Sequence, residues 1–154
     1  VLEVAAGAFV QSEVDLTLNV LDREVFVVTA ADLNVFTPEA IAATDTSVSG
    51  SLSSTSRATV GSINDSNVIA SDVKNIRAAG FVDGGVGFME KSPESPTGTN
   101  LEYIMIIATN NFFAQVIGAG NLATKGMNFR LWGYRAQADA NTFAALTQSE
   151  LLSA

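Results

Sequence analysis

Apolar and polar residues alternate along several stretches of this chain, a pattern that indicates β-strands with one buried and one solvated face. The first stretch is Val14–Val20, where every second residue is apolar. After a short polar break, Val25–Val35 is rich in β-branched and aromatic residues, which favour strands. We expect these two stretches to be neighbouring strands that pair as a hairpin.

The middle of the chain continues the strand pattern more weakly. Ser47–Ala58 begins with serines at every second position, which predicts a thin strand with a solvated Ser/Thr face. Phe81–Met89 predicts another strand, bent or bulged at Gly84-Gly85. Glu90–Asn100 contains proline and glycine, and it predicts a loop.

The most apolar segment, Leu101–Ala108, predicts a central strand that is buried on both faces. Asn110 and Asn111 follow it, and asparagine tolerates the left-handed conformation of a tight turn. Phe112–Ile117 is the predicted return strand, so we expect these two strands to form the most buried hairpin. Met127–Ala136 predicts the last strand.

Helix signals occur at two internal places. Thr37-Pro38 offers an N-cap hydroxyl followed by proline at the first helical position, which predicts a short helix ending near Ala43. Ser66–Ala79 has apolar residues at helical spacing, and Gly80 follows where a helix commonly ends. The same stretch alternates weakly as a strand, but its spacing favours a helix over 66–79.

The two ends of the chain carry different patterns. An amphipathic helix is predicted over 141–152 with Asn141 as its N-cap, whereas residues 1–13 are a candidate N-terminal arm or edge strand. No repeat of fixed period divides the 154 residues, a length that favours one domain. We therefore predict a mainly β protein: a single antiparallel β-sandwich over 1–154, jelly-roll-like, with a short helix after the second strand, a helix at 66–79 and a C-terminal helix.

The chain contains no histidine and no cysteine. It therefore lacks the usual proton shuttle, thiol nucleophile and soft metal ligands. A pair of carboxylates could still hydrolyse glycosides, but no motif links the candidates Asp72, Asp83 and Glu90. Solvated loop carboxylates are the simpler interpretation, and we expect no catalytic residues and no enzymatic activity.

Two loop sequences are candidates for ligand binding. Residues 64–67 offer oxygen ligands of the kind that Ca²⁺ prefers, but they lack the spacing of an EF-hand, and an ordinary Asx-turn explains them equally simply. Residues 80–87 are glycine-rich but fit neither a P-loop nor a dinucleotide fingerprint. We expect no cofactor and no metal.

The charge of the chain limits its partners. The net charge is −8, and only 16% of the residues are charged, against roughly 25% in typical soluble proteins. Lysine and arginine never cluster, which argues against direct nucleic-acid binding. No apolar run is long enough for a transmembrane segment, and the first four residues lack the basic region of a signal peptide. Sparse charge favours either a surface covered by other chains or Ser/Thr-coated faces.

Aromatic and apolar residues near the C-terminal end are candidates for subunit contacts. Trp132 and Tyr134 share a predicted strand face with Arg130, where they could stack on a sugar, fill the core or plug an interface. The tail helix could cap its own sheet or dock on a neighbour. The interface candidates are Trp132, Tyr134, Phe143, Leu146, Leu151 and Leu152.

Four strand-like segments carry a resemblance to a known class of proteins: Glu24–Val28, Tyr103–Ala108, Asn111–Val116 and Phe129–Tyr134. Their order and composition resemble viral β-sandwich coat or decoration proteins of the jelly-roll kind, over most of residues 14–136. The resemblance implies a structural virion protein that self-assembles into a closed shell with copies of itself and other virion proteins, in the virion or outside the cell. An extracellular adhesion, filament or carbohydrate-binding sandwich module is the alternative.

Overall fold

The computed structural model describes residues 1–80, 87–91 and 102–152. These residues form two antiparallel sheets and one C-terminal helix, which confirms the predicted mainly β, sandwich-like fold. The elements are β1 (Val10–Asp15), β2 (Glu24–Val35), β3 (Thr46–Ser53), β4 (Val68–Arg77), β5 (Phe88–Lys91), β6 (Met105–Ile107), β7 (Asn111–Ala119), β8 (Met127–Gln137) and α1 (Ala140–Leu152). The larger sheet has the order β1-β7-β3-β4-β5, and the smaller sheet has the order β6-β2-β8.

The main core lies between the two sheets. Val28 and Val35 of β2 pack there with Val48 and Leu52 of β3 and Val116 of β7, and all five side chains are fully buried. Each strand contributes alternate residues to this core, as expected for two sheets that pack face to face. The alternation in β2 changes phase at a bulge between Val28 and Ala30, because the extra residue shifts the side chains that follow it.

The predicted hairpin of the first two strands is wrong. The first strand lies at Val10–Asp15, earlier than the alternation of 14–20 indicates, and it pairs with β7. Thr17 adopts a left-handed conformation with φ +50°, which ends the extended chain just after β1. The second strand is confirmed over Val25–Val35, but its partners are β6 and β8.

Two of the three predicted helices are also wrong. Residues 37–43 are not helical: the carbonyl of Glu39 accepts a bond from the Thr46 hydroxyl, and Ala43 has φ +55°. Residues 66–79 contain β4, which is hydrogen-bonded to β3 on one side and β5 on the other. The C-terminal helix is present, but its N-cap is Asp139, whose carboxylate accepts the N–H groups of Asn141 and Thr142 at 3.0 and 2.9 Å.

The predicted central hairpin does not form either. β6 is a three-residue edge strand of the smaller sheet, whereas β7 lies inside the larger sheet. Asn110 therefore connects the two sheets, and its side-chain oxygen accepts the N–H of Leu18 at 2.5 Å. The expected burial holds for β7, where Ala114 and Val116 are fully buried. Of the three residues of β6, only Ile107 is buried.

The solvated Ser/Thr face predicted for 47–58 is a further error. β3 ends at Ser53, and Ser51 and Ser53 are fully buried. The loop that follows covers them: the Ser51 hydroxyl accepts the N–H of Gly61 at 2.8 Å and donates to the side-chain oxygen of Gln115 at 2.8 Å. The Ser53 hydroxyl donates to the carbonyl of Thr55 and accepts from the side-chain amide of Gln115, so both serines bond to protein groups instead of facing water.

Other predictions fall partly on residues that are not described. The strand predicted over Phe81–Met89 is seen from Phe88 onward and reaches Lys91, whereas 81–86, with Gly84-Gly85, lie outside the described residues. Residues 92–100 of the predicted loop lie outside them too. Within the candidate arm 1–13, the chain pairs at its start with its own residues 125–127 and enters β1 at residue 10.

Gly133 of β8 provides a test of the sheet packing. A Cβ at this position would overlap the carbonyl oxygen of Val27 and lie 2.6 Å from the ring of Phe26. We expect Gly133→Ala to lower the free energy of unfolding by about 1–3 kcal/mol, because the β2 backbone has to move. Gly80→Ala is the control, since a Cβ there meets no described atom within 4 Å, and urea denaturation should show a change within about 0.5 kcal/mol. Equal stability of the two variants would contradict the close packing of β2 on β8.

Candidate subunit-interface surface

The face of the smaller sheet that points away from the larger sheet holds the two exposed aromatic candidates, and we call it the outer face. Trp132 lies opposite Ala30, and Tyr134 lies opposite Val27. Since paired residues share a face, all four side chains belong to the outer face. Trp132 is 42% exposed and Tyr134 is 56% exposed. The alternation of side chains along β8 thus places both rings on one surface at the edge of the sheet.

Arg130 continues the same row along β8. Its guanidinium lies 5.7 Å from the centre of the Trp132 ring, within the range of a cation–π contact worth about 0.5–1 kcal/mol at an exposed site. Arg130 also lies opposite Asp32 of β2. The contact with Arg130 holds a cation against one side of the Trp132 ring.

α1 covers the other part of the outer face. Phe143 and Leu146 pack against a second core cluster formed by Val25, Val27 and Ala108. Val25 and Val27 become almost fully buried under the helix. Phe143 and Leu146 are therefore committed mainly to their own subunit, so the tail helix caps its own sheet.

The end of α1 presents the remaining two candidates to solvent. Leu151 is 68% exposed and Leu152 is 79% exposed. The helix starts just after β8, and near its end Glu150 binds the backbone directly after β6. α1 therefore crosses the sheet from the β8 edge to the β6 edge. The structure places the leucine pair and the aromatic pair at opposite edges of the smaller sheet.

Glu150 holds α1 in place, and no sequence pattern indicated this role. Its side chain is only 8% exposed, and its two carboxylate oxygens accept the N–H groups of Ala108 and Thr109 at 2.8 and 2.9 Å. A glutamate in the last turn of a helix usually faces solvent, and its partners lie 41 and 42 residues earlier in the chain. Only the three-dimensional arrangement identifies it.

Other carboxylates also accept backbone N–H groups and so hold neighbouring segments in place. The N–H of Leu122, assisted by Ala123 and Lys125, lowers the pKa of the Glu39 carboxyl. The N–H groups of Ala79 and Ala78, followed by Arg77, lower the pKa of Asp45, and Thr142 does the same for Asp139. Many of the acidic residues behind the net charge of −8 therefore have structural partners.

These hydrogen bonds to ionised carboxylates predict that the protein loses stability in acid. Because the folded-state pKa of Asp45 lies below its ordinary value of 3.8, its contribution is fully present above that pH and is lost as the pH falls through the lowered pKa. We expect Asp45→Asn to melt at a lower temperature than the parent at neutral pH, and this difference should shrink below pH 3.8. Thermal melts of both proteins across the pH range measure this difference. A difference that is constant with pH would contradict a stabilising role of the ionised Asp45 carboxylate.

Asp72 and Glu90, the two described carboxylates among those considered for hydrolysis, are not arranged as a catalytic pair. Asp72 is buried, and its carboxylate accepts the N–H of Val35 at 3.4 Å. Glu90 lies opposite Asn75 on the neighbouring strand, and positions 72 and 75 of one strand face opposite sides of a sheet. Asp83 lies outside the described residues.

Two residues of the oxygen-rich segment 64–67 bond to a cationic side chain of the protein itself. The Arg57 guanidinium donates to Asp65 and to Asn67, each at 2.7 Å. In the described ranges, no group of three or more acidic residues could hold a metal ion. The Asp65 carboxylate thus helps to hold together the loop that covers β3.

A cavity of about 420 Å³ lies on the side of the larger sheet that faces away from the core. None of its lining residues is titratable, so it offers shape and apolar surface but no acid–base chemistry. The lining residues are Phe9, Ser49, Ala58, Thr59, Val60, Gly61, Ser62, Ser71, Val73 and Ile117.

The comparisons with known proteins add no assignment. No protein-family model matches the chain, and no curated protein or solved structure matches it. In the part of the chain that the structure describes, no helix has the length and hydropathy needed to cross a membrane. The surface at β8 and the end of α1 is therefore interpreted from its geometry and chemistry.

Proposed function

We propose that this protein is a structural subunit of a virion shell, which assembles with copies of itself as a coat or decoration protein. The observation that carries the proposal is that four of the exposed large apolar side chains lie in pairs at two separate sites. Trp132 and Tyr134 lie at the β8 edge, and Leu151 and Leu152 lie beyond the opposite edge. Large apolar side chains that remain exposed together mark surfaces that another molecule covers.

Two separate patches support assembly beyond a pair. A single self-complementary patch closes a dimer, whereas a second, different patch lets each subunit contact further neighbours. The sandwich between the patches is held by a buried core, and its loops are tied by carboxylates such as Glu39 and Asp45. Such a subunit meets the mechanical needs of a shell without any catalytic group.

Electron microscopy and light scattering of the purified protein test this proposal. We expect closed particles or defined oligomers at micromolar concentration and physiological salt. The double change Leu151→Ser and Leu152→Ser should reduce the size of these assemblies while the thermal melt stays unchanged, because both side chains are exposed. A compact monomer under all of these conditions would contradict the shell function.

Carbohydrate binding is the second candidate, and one observation favours it. Trp132 and Tyr134 are two partly exposed rings on one face, beside the cation of Arg130. Trp132 is the only tryptophan of the chain, so its fluorescence reports directly on a stacked sugar. Saturable quenching or enhancement by a glycan, lost in Trp132→Ala, would support this candidate for the monomer.

A further inference from the structure

Serines on the side of the larger sheet that faces away from the core differ in their hydrogen bonding. Ser51 and Ser53 are fully buried, and their hydroxyls are bonded to protein groups. Ser49 of β3 and Ser71 of β4 are only half-buried. In the described part of the chain, the hydroxyls of Ser49 and Ser71 form no hydrogen bond with a protein group. These two hydroxyls are therefore open to a molecule that enters from outside.

Ser49 and Ser71 both line the cavity of about 420 Å³ on this side of the sheet. Ser49 lies opposite Val73 of β4 and opposite Ile117 of β7, so these three side chains form a row across three strands. Ser71 lies two positions from Val73 along β4 and is a diagonal neighbour of Ser49. Phe9, directly before β1, adds an aromatic ring to the lining. The cavity thus has an apolar lining with two hydroxyls on its sheet side.

The remaining wall of the cavity is the segment 58–62, and hydrogen bonds hold it in place. The N–H of Gly61 donates to the Ser51 hydroxyl at 2.8 Å. Just before the segment, the backbone N–H of Arg57 donates to the side-chain oxygen of Gln11 at 2.7 Å. These bonds attach the wall to β3 and to β1. The cavity is therefore formed before any ligand enters, as is usual for sites that bind small molecules.

The lining also defines the chemistry of a ligand. Apart from Gly61, every lining residue is apolar or carries a hydroxyl, and none is charged. A charged molecule would lose its water here without gaining an opposite charge, which is costly. A neutral apolar molecule gains free energy from the burial of its surface. The volume lies within the range of roughly 300–1,000 Å³ that is common for ligand pockets.

We propose that this cavity binds a neutral small molecule that has an apolar ring system and a hydrogen-bonding group. The rings lie against Phe9, Val73 and Ile117, and the polar group bonds to the hydroxyl of Ser49 or Ser71. The cavity belongs to the larger sheet, whereas the apolar pairs assigned to shell contacts lie on β8 and α1. Ligand binding here goes beyond the shell function and does not depend on it.

Two dyes with the same ring skeleton test the site. N-phenyl-1-naphthylamine is neutral and has an N–H donor, whereas 8-anilinonaphthalene-1-sulfonate carries a sulfonate on the same rings. Both fluoresce more strongly in apolar surroundings, so fluorescence titration measures their binding. We expect saturable binding of one neutral dye per chain. The sulfonated dye should bind weaker by roughly tenfold or more, because no lining residue offers a positive charge.

A substitution that fills the cavity locates the bound dye. Ser49→Phe places a ring inside the cavity and should weaken binding of the neutral dye by roughly tenfold or more, because the dye loses apolar contacts. Ser47→Phe is the matched control, since Ser47 is half-buried on the same face of β3 but does not line the cavity. Thermal melts establish that both variants are folded.

A second pair of variants avoids the central strand β3. Phe9→Ala removes an aromatic ring from the lining and lies outside the strands, so it should fold and weaken binding of the neutral dye. Phe88→Ala is its control, because Phe88 is 57% exposed on β5 and does not line the cavity. This pair decides the question by itself if Ser49→Phe does not fold.

The outcomes concern the cavity and leave the shell function to microscopy. Saturable binding of the neutral dye that the cavity variants weaken and the controls preserve upholds the site, whether or not particles form. The site is overturned if the neutral dye does not bind saturably, or if the two dyes bind equally well. Equal binding by each folded cavity variant and its control would place the dye elsewhere and overturn the site too.

Discussion

Replacing Leu52 by alanine is expected to lower the free energy of unfolding by about 2–5 kcal/mol. Leu52 is fully buried between the sheets. Its neighbours on the two adjacent strands are Ala70 and Ala114, whose small side chains cannot move into the space that Leu52 leaves. The variant therefore loses both the burial of the leucine and the contacts around the cavity.

Urea denaturation of the two proteins measures this effect. Leu122→Ala is the matched control, because it removes the same atoms from a side chain that is 82% exposed, and we expect a change within about 0.5 kcal/mol. Similar losses for the two variants would be incompatible with Leu52 as the centre of the core.

Replacing Glu150 by leucine should destabilise the protein by about 1–3 kcal/mol for each buried N–H that is left unpaired. The carboxylate accepts the N–H groups of Ala108 and Thr109, of which Ala108 is 2% exposed. Leucine fills a similar space but offers no acceptor. Glu150→Gln keeps one acceptor oxygen, so its stability should lie between those of the parent and the leucine variant.

Thermal melts rank the three proteins, and amide hydrogen exchange locates the effect. Faster exchange at Ala108 and Thr109 in Glu150→Leu is expected, with the interior of β7 protected as before. If Glu150→Leu matches the parent in both measurements, then Glu150 does not anchor α1 to the smaller sheet.

The sequence predicted strands best where one stretch carries one consistent pattern. Val25–Val35 and Met127–Ala136 were assigned nearly to their true ends because β-branched and aromatic residues recur along them. Residues 66–79 were misassigned because apolar residues at helical spacing also occur there. Hydrogen bonds from β3 and β5 on both sides make this segment a strand, and no local pattern contains that information.

Burial was harder to predict than strand formation. The serines of β3 looked solvated because serine is usually exposed. In the fold, the segment after Ser53 returns over the sheet, and Gly61 and Gln115 supply partners for the Ser51 hydroxyl. A charge at Ser53 would consequently be buried, so the tolerance expected of a solvated position does not apply to it.

The candidate surface shows the same division between local and long-range information. The types and order of residues were enough to indicate a mainly β sandwich, a C-terminal helix and the six apolar interface candidates, since side-chain periodicity is a property of neighbouring positions. Tertiary packing divided those candidates: Phe143 and Leu146 are covered by their own sheet, and Trp132, Tyr134, Leu151 and Leu152 remain exposed. Among the described strands, the order β6-β2-β8 also places β8 at an edge of the smaller sheet. These features depend on contacts between residues far apart in the chain, whose free energies appear only when the sheets and the helix come together.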